Sequence, residues 1–339
     1  MTKKIGIALV GLGPGSEPHI ASLHALHDRV DWRWCVSRSG APQRQRLLPG
    51  SIRLTTDLNE VLADAAVDAV VLATPANTHL AIARQVLAAG KHTLVEKPLD
   101  VSLERAEELV RIAEASKLCF GVVLQHRFRP GAVRLRELLA SGALGELQAG
   151  MLQVPWWRSQ AGYYAQAGRG TRERDGGGVL LTQAIHSLDL FRSFVGVRKV
   201  VAAQVITTAL HTMETEDFVS ALLTLGNGAP GNLMATTAMY PGRTESIELV
   251  CTQANVSLVG GGLQVHYHDG RTEVVDGDAK TGSGDSIMDF APDAHIDLYR
   301  DFLDAITNQR EPLVSGREAL LTHRLIEEIL SAGAEDPTR

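Results

Sequence analysis

The chain predicts an α/β protein, a doubly wound parallel sheet followed by a strand-rich second half. Three observations predict it. A short apolar run, Ile5 to Val10, opens directly onto Gly11-Leu12-Gly13-Pro14-Gly15-Ser16 and a helical stretch. Short buried strands then alternate with amphipathic helices as far as Leu124, the pattern of a parallel sheet covered on both faces. Beyond that point the alternation gives way to runs of strand composition separated by Gly, Asn and Pro turns.

Composition is consistent with this. The 339 residues are 45% hydrophobic and 21% charged, an ordinary globular mix long enough for two domains with substantial cores. The change of pattern divides the chain into a first domain, 1–125, and a second, 126–339. A formal net charge of −6 supplies no general field for nucleic acid or an anionic membrane, so small molecules are the expected partners. Cys35, Cys119 and Cys251 lie too far apart for a zinc or redox motif and fit a reducing compartment, which makes the cytoplasm the expected location. The first apolar run is broken by Gly6, and no later run reaches the ~18 apolar residues that a membrane span requires.

Taken in order, the first strand and its glycine turn have the context of a Rossmann dinucleotide fingerprint. Gly11 and Gly13 stand where the chain must turn tightly and let a pyrophosphate approach the backbone, and the amides opening the next helix face that charge. Ser16 takes the place of the third glycine of the usual spacing. The second strand, Asp31 to Val36, ends in Ser37-Arg38-Ser39, where an acidic residue would bind the ribose hydroxyls of NAD. A hydroxyl followed by a guanidinium suits a ribose 2′-phosphate instead, which predicts NADP over NAD. Arg44 and Arg46 are further candidates or solvated charges.

Asp57-Leu58-Asn59-Glu60 reads as a capped helix start. A strand from Ala69 to Ala73 delivers Thr74 and Pro75 to its carboxyl end, near the cofactor, and His79 begins the following helix, where a structural role competes with a contact role. The helix stops at Gly90. The run His92 to Val95 then reads as a buried strand ending in Glu96-Lys97-Pro98. Ligands of open α/β sheets collect at the carboxyl ends of the strands, so Lys97 is placed to bind a substrate oxygen. A solvated lysine paired with Glu96 is the structural alternative. A long amphipathic helix, Ser102 to Ser116, and a strand from Cys119 to Leu124 complete the first half.

The second half opens with Gln125-His126-Arg127-Phe128-Arg129-Pro130 as a crossover, a short helix, and a strand from Glu146 to Val154. A loop from Pro155 to Asp175 follows, with Arg158, Arg169, Arg172 and Arg174 beside Trp156, Trp157, Tyr163 and Tyr164. Aromatic faces suit sugar C–H surfaces, and an arginine excess suits a carboxylate or phosphate. An arm packing on a neighbouring subunit is the alternative. Gly176-Gly177-Gly178 then releases a helix carrying Thr182, Gln183 and His186. Thr182 and His186 are four apart and share a face, with Asp189 near enough to orient the histidine. Runs at Val200–Thr208, Asp217–Leu225, Asn232–Tyr240, Ser246–Cys251 and Leu263–Tyr267 read as strands of one large sheet. His266 and His268 share a strand face but lack a third ligand, so no metal is expected. The segment Asp276 to Pro292 reads as a loop.

Together, the Gly11-Gly13 turn, Thr74-Pro75-Asn77-His79, Glu96-Lys97-Pro98, the Arg127 to Pro130 crossover, and the triple glycine followed by His186 and Asp189 resemble the Gfo/Idh/MocA family. Its relatives include glucose-fructose oxidoreductase and inositol dehydrogenase. The likeness extends over almost the whole chain, including a helix at Asp297 to Thr307, Glu311-Pro312 and a last helix. It implies that the second half is a mostly antiparallel open sheet that associates into dimers or tetramers, and that Lys97 and His186 flank the reacting carbon. It also adds Asn77, His79, Glu96 and Lys97 to the cofactor contacts. Many relatives carry Asp or Asn where this chain has Thr182, and Gly where it has Ala184.

The activity expected from this is an NAD(P)-dependent oxidation of a secondary alcohol of a sugar, cyclitol or related polyol, acidic polyols included. His186 takes the proton, Lys97 steadies the developing alkoxide, and Thr182 relays. Arg127, Trp157, Arg158, Tyr163, Arg169 and Gln183 join Lys97, Thr182 and His186 as expected substrate contacts. A cofactor-sensing protein without turnover, and an enzyme using the cofactor transiently for elimination or hydrolysis, are the alternative activities.

Overall fold

The computed structural model describes residues 3–38, 45–277, 282–284 and 291–334. By their internal contacts the residues form two units, Met1–Gln125 with Pro292–Leu320, and His126–Ala291 with Leu321–Arg339. A single division at residue 125 therefore needs correction, because a segment near the C-terminus belongs with the first unit.

In the first unit, β1 (Ile5–Val10), β2 (Val30–Val36), β3 (Arg53–Thr55), β4 (Ala69–Leu72), β5 (His92–Val95) and β6 (Phe120–Val122) form one sheet in the order β3-β2-β1-β4-β5-β6. Every neighbouring pair is parallel. Ile7, Leu9, Val70, Val71, Leu72 and Leu94 are buried along the central strands, as strands covered on both faces require. The strand β3 was not expected, since its three residues are exposed or half-buried and lack an apolar period.

The helices of this unit are α1 (Glu17–Ala25), α2 (Leu58–Ala63), α3 (His79–Ala88) and α4 (Leu103–Ser116). Asp57 caps α2 by accepting from the Asn59 amide at 2.9 Å. Ser102 caps α4 in the same way, and that helix buries Ala106, Leu109, Val110 and Ala113 at helical spacing.

Near the end of the chain, α8 (Asp293–Asn308) buries His295, Leu298, Tyr299, Phe302, Leu303 and Ala305 on one stripe. It packs on α1, where Arg29 pairs with Asp304 at 2.6 Å. Ser315 then bridges to Gly121 and so continues the β6 edge of the sheet. The expected helix at 297–307 was thus short by a turn at its start.

The second unit holds α5 (Pro130–Ala140), β7 (Leu147–Pro155), α6 (Arg172–Asp175), α7 (Ile185–Val195) and β8 (Val197–Ile206). It continues with β9 (Phe218–Leu225), β10 (Pro230–Thr236), β11 (Ser246–Cys251), β12 (Ala254–Val259), β13 (Gly262–Tyr267) and β14 (Thr272–Val275). The last helix, α9 (Gly316–Ala334), runs from one unit into the other. The eight strands form one sheet, β14-β13-β12-β11-β7-β10-β9-β8. Only β7 and β10 pair in parallel; the other neighbours are antiparallel.

One face is apolar and buried, through Leu152, Val154, Val219, Leu233, Ile247 and Leu249, and Phe191 of α7 lies against it at Gly150. The opposite face keeps Val201, Leu222 and Val274 exposed. The strands at 254–259 and 272–275 were not foreseen. Each alternates buried or half-buried with exposed positions, but 254–259 joins its neighbours by two-residue turns that merge with them in sequence. Among the described residues no helix is long and apolar enough to cross a membrane.

Candidate active site

In the first unit the carboxyl ends of β1, β4 and β5, adjacent in the sheet, carry three turns. The first is the glycine loop. Gly11 has φ +107°, and a Cβ there would lie 2.4 Å from the Ala73 carbonyl oxygen, so only glycine fits. At Gly13 a Cβ would meet nothing within 4 Å, which leaves the backbone facing open space. The chain then turns through Pro14–Ser16 into α1. Ser16 explains the missing third glycine: its hydroxyl donates to the Gly13 carbonyl at 2.8 Å and tightens the turn from within. An open, glycine-walled approach leading into a helix is a fit for a dinucleotide pyrophosphate.

At the end of β2, the Ser37 amide donates to Thr55 of β3 at 3.0 Å, and the side chain of Arg38 is exposed. Ser39 and Arg44 lie outside the described residues, as do positions 278–281 and 285–290 of the expected loop. Arg46 is exposed.

The second turn carries Thr74, half-buried, with Pro75 and Asn77 exposed. Thr78 donates to the Thr74 hydroxyl at 2.8 Å, and Arg105, itself held by buried Asp100, donates to the Asn77 carbonyl. His79 requires a correction. It is fully buried, with Nδ1 3.0 Å from the Pro98 carbonyl and Nε2 2.9 Å from the Thr74 carbonyl, so it ties two turns together and is not a cofactor contact.

Glu96 and Lys97 form the third turn. The half-buried Glu96 carboxylate is engaged by His19 Nε2 at 2.9 Å and by the backbone amide of Lys97 at 3.0 Å. Burial works to raise the Glu96 pKa, but the hydrogen bond from His19 and the neighbouring charges hold it below the usual carboxylate range. Lys97 is half-buried at the strand end.

In the second unit, Gly176 caps α6 with φ 75°. A Cβ at Gly178 would fall 1.9 Å from the Glu216 carbonyl oxygen, so a glycine at 178 is what admits Glu216. That carboxyl accepts from the amides of Gly178 and Leu180, both at 3.1 Å, and burial pushes its pKa up. No sequence pattern linked Glu216 to the glycines 38 residues earlier.

A π-helical turn at Leu180–Ala184 leads into α7. Thr182 donates its hydroxyl to the Gly178 carbonyl at 2.7 Å, so its proton is committed to the backbone and a relay through it would have to begin by accepting. His186 is 9% exposed and stacks on His126, ring centroids 4.8 Å apart. His126 was expected in the crossover but not as a neighbour of His186.

Asp189 does not turn to His186 as expected. Its carboxylate takes a two-pronged bond from Arg127 at 2.6 and 2.8 Å, a third from Thr322 at 2.8 Å, and Arg192 lies 3.4 Å away. Arg127 is accordingly a buried structural cation, 5% exposed, and is withdrawn from the substrate contacts.

Arg158 is withdrawn for the same reason. It is 2% exposed and donates to Gln183 at 2.9 Å and to the carbonyls of Trp157, Gly284 and Gly282. Gln183 is held by the same network, donating to the Tyr163 hydroxyl at 2.8 Å. Tyr163 is buried beneath Arg169, whose guanidinium lies 4.9 Å over its ring and 3.5 Å from Asp175. Trp157 stays half-buried, its ring set edge-on to the exposed Tyr240 at 5.5 Å. His266 and His268 lie beside Thr272 and the Thr252 carbonyl, and among the described residues no group of three or more His, Cys, Asp or Glu is placed to hold a metal.

Residues 5–124 match the oxidoreductase family with NAD-binding Rossmann fold, and residues 132–257 match the GFO/IDH/MocA C-terminal domain. The UDP-N-acetylglucosamine 3-dehydrogenase of Acidithiobacillus ferrooxidans is 31% identical over 261 residues, 76% of each chain. The inositol 2-dehydrogenase of Rhizobium meliloti is 25% identical over 346 residues, covering 99% of this chain and 98% of its own. Among solved structures, the WlbA dehydrogenase of Bordetella pertussis, crystallised with NADH and UDP-GlcNAcA, has a TM-score of 0.82 at 27% identity, covering 98% of this chain and 97% of that one.

Proposed function

Because the chain belongs to the Gfo/Idh/MocA family of NAD-binding oxidoreductases, we propose that it oxidises a secondary alcohol of a sugar, cyclitol or related polyol, with NADP as its preferred acceptor. The observation that carries the reading is the company Lys97 keeps. A half-buried lysine stands at the end of β5, one strand from β4 and two from the glycine loop, at one end of the sheet. The nicotinamide ring, when bound, accepts the hydride, and the protein orients the alcohol and handles its proton. Gly11 and Gly13 admit the pyrophosphate, with Thr74, Pro75 and Asn77 on the neighbouring turn. Ser37 and Arg38, with no acidic residue next to them in the sequence, favour a 2′-phosphate over a bare ribose.

Lys97 donates to the substrate oxygen and steadies its charge as the C–H bond breaks. His186 accepts the hydroxyl proton, its ring stacked on His126 and held at the start of α7. Trp157 and Tyr240 offer aromatic surface on which a sugar's C–H face would pack. The relatives that act on UDP-N-acetylglucosamine and inositol support a hydroxyl-rich ring as substrate. The burial of Arg158 removes one of the loop arginines that favoured an acidic one.

The test is a substrate panel of myo-inositol, free aldoses, aldonic acids, UDP-N-acetylglucosamine and its uronic acid, followed by absorbance of the reduced nicotinamide. Net oxidation gives reduced cofactor and ketone in equal amounts. Lys97→Met and His186→Ala should each lower kcat by ~100-fold or more. Near-normal turnover in both variants would remove the assignment.

A further inference from the structure

One buried histidine of the first unit has no place in that reading. His19, on α1 three residues beyond Ser16, is fully buried, and both of its ring nitrogens meet protein groups. Its Nδ1 lies 2.8 Å from the Tyr299 hydroxyl of α8, and its Nε2 lies 2.9 Å from Glu96 Oε1. The other oxygen of Glu96 accepts from the Lys97 amide at 3.0 Å. Burial, and then the charge of Glu96, push the Tyr299 phenol well above its ordinary pKa, so the phenol keeps its proton.

The hydrogen-bond directions follow. Tyr299 donates to Nδ1, the Nε2–H tautomer of His19 donates to the carboxylate, and the carboxylate receives the Lys97 amide. Every donor in this chain has an acceptor.

The same turn is gripped from its other side. His79 meets the Pro98 carbonyl with one ring nitrogen and the Thr74 carbonyl with the other. Two buried imidazoles therefore join three turns that would otherwise be independent: His19 links the helix leaving the glycine loop to the Lys97 turn, and His79 links that turn to Thr74.

We propose that His19, oriented by Tyr299 and acting through Glu96, is a positioning residue that sets Lys97 relative to the dinucleotide loop. It touches neither substrate nor cofactor. The inference rests on the reading of Lys97 as the group that holds the substrate oxygen. A half-buried carboxylate deprived of its imidazole must find another partner, water or a proton, and any of these responses moves the backbone that carries Lys97. Displacement on the order of 1 Å at a catalytic group costs roughly 100-fold in rate.

The experiment compares His19→Leu, His19→Gln, Tyr299→Phe and Lys97→Met in the full chain. It uses whichever of myo-inositol and UDP-N-acetylglucosamine the wild type oxidises faster, NADPH binding by fluorescence, and amide hydrogen exchange of the segment 94–100. His19→Leu should lower kcat by between about 10-fold and 100-fold while the Kd for NADPH hardly moves, and exchange should rise within 94–100 but not across the sheet. His19→Gln, whose amide N–H can still reach Glu96, should recover part of the rate, and Tyr299→Phe should lose part of it.

Wild-type kcat and exchange in His19→Leu, beside a crippled Lys97→Met, would overturn the inference and leave the proposed function standing. An active Lys97→Met would instead overturn the function. Should His19→Leu fail to fold, Tyr299→Phe decides by the same two readings, and wild-type values there would overturn the inference.

Discussion

As plain sequence, the strand-end turns of the first unit resemble the arginine-bearing segments of the other unit, for both set cations close to glycines and prolines. The structure separates them. In the first unit Lys97 is half-buried at a strand end, and its backbone amide donates to Glu96. In the other, Arg127 and Arg158 are 5% and 2% exposed and direct their guanidinium groups at protein oxygens. A guanidinium has five donors in a fixed fork, and a carboxylate or a cluster of backbone carbonyls satisfies it as well as a substrate would. The residue type therefore announces a strong interaction without saying with whom. Burial says with whom.

The largest effect expected from this difference is on stability. Arg127→Met would leave Asp189, 0% exposed, without its two-pronged partner, with Thr322 and Arg192 as its remaining side-chain partners among the described residues. Removing one member of a buried pair costs ~3–5 kcal/mol, because the remaining charge is left uncompensated. Urea unfolding should show that loss, and replacing both residues, as in Arg127→Met with Asp189→Leu, should recover much of it. An unaltered unfolding midpoint accompanied by a raised KM would return Arg127 to the substrate and erase the contrast between the units.

A smaller effect tests the exposed side of the comparison. Arg38, unlike Arg127, presents its side chain to solvent at the end of β2. If it serves the 2′-phosphate, kcat/KM should favour NADP over NAD by tenfold or more, about 1.4 kcal/mol, and Arg38→Ala should remove most of that preference while sparing NAD. A preference for NAD in the wild type would make Arg38 a solvated loop charge.

How far the sequence could be read follows the same logic. The parallel half was legible because its central strands are buried on both faces and separated by helices, so that an apolar run ends at a glycine turn, as at Gly11, or a helix begins at a capping side chain, as at Asp57 and Ser102. The edge strand at 53–55 was invisible, since it buries almost nothing. The Gly11 turn and the Glu96-Lys97-Pro98 turn could be found because each is a local pattern. Glu216 behind the triple glycine, Tyr299 beside His19, and Thr322 against Asp189 could not, for each pair joins residues from 38 to 280 positions apart through one hydrogen bond. His19 did leave a trace. A histidine among Pro18, Ile20 and Leu23 on a helix that must pack against a sheet is a buried imidazole, and buried imidazoles require partners. Asp189 was assigned to His186 by helical spacing alone, and a fully buried arginine from another element prevailed over that proximity.

The smallest effect concerns a charge between these extremes. Asp64, at the end of α2, accepts from the Trp34 indole at 2.8 Å, the Ala66 amide at 2.8 Å and Arg33 at 3.3 Å, and its side chain keeps 16% exposure. The Trp34 hydrogen bond, then the Ala66 amide, hold its pKa at about 2. The unfolded value is near 3.9, so the folded state binds its proton less readily than the unfolded chain does. The stabilisation is therefore fully present above the unfolded value and is lost as pH falls through the range between the two. Partial exposure screens it, which leaves on the order of 1 kcal/mol. Asp64→Asn should melt below the wild type at about pH 6, and the gap should narrow steadily as pH is taken towards 3. A gap that stays constant over that range would mean that packing around Trp34, and not the carboxylate's charge, holds this corner of the sheet.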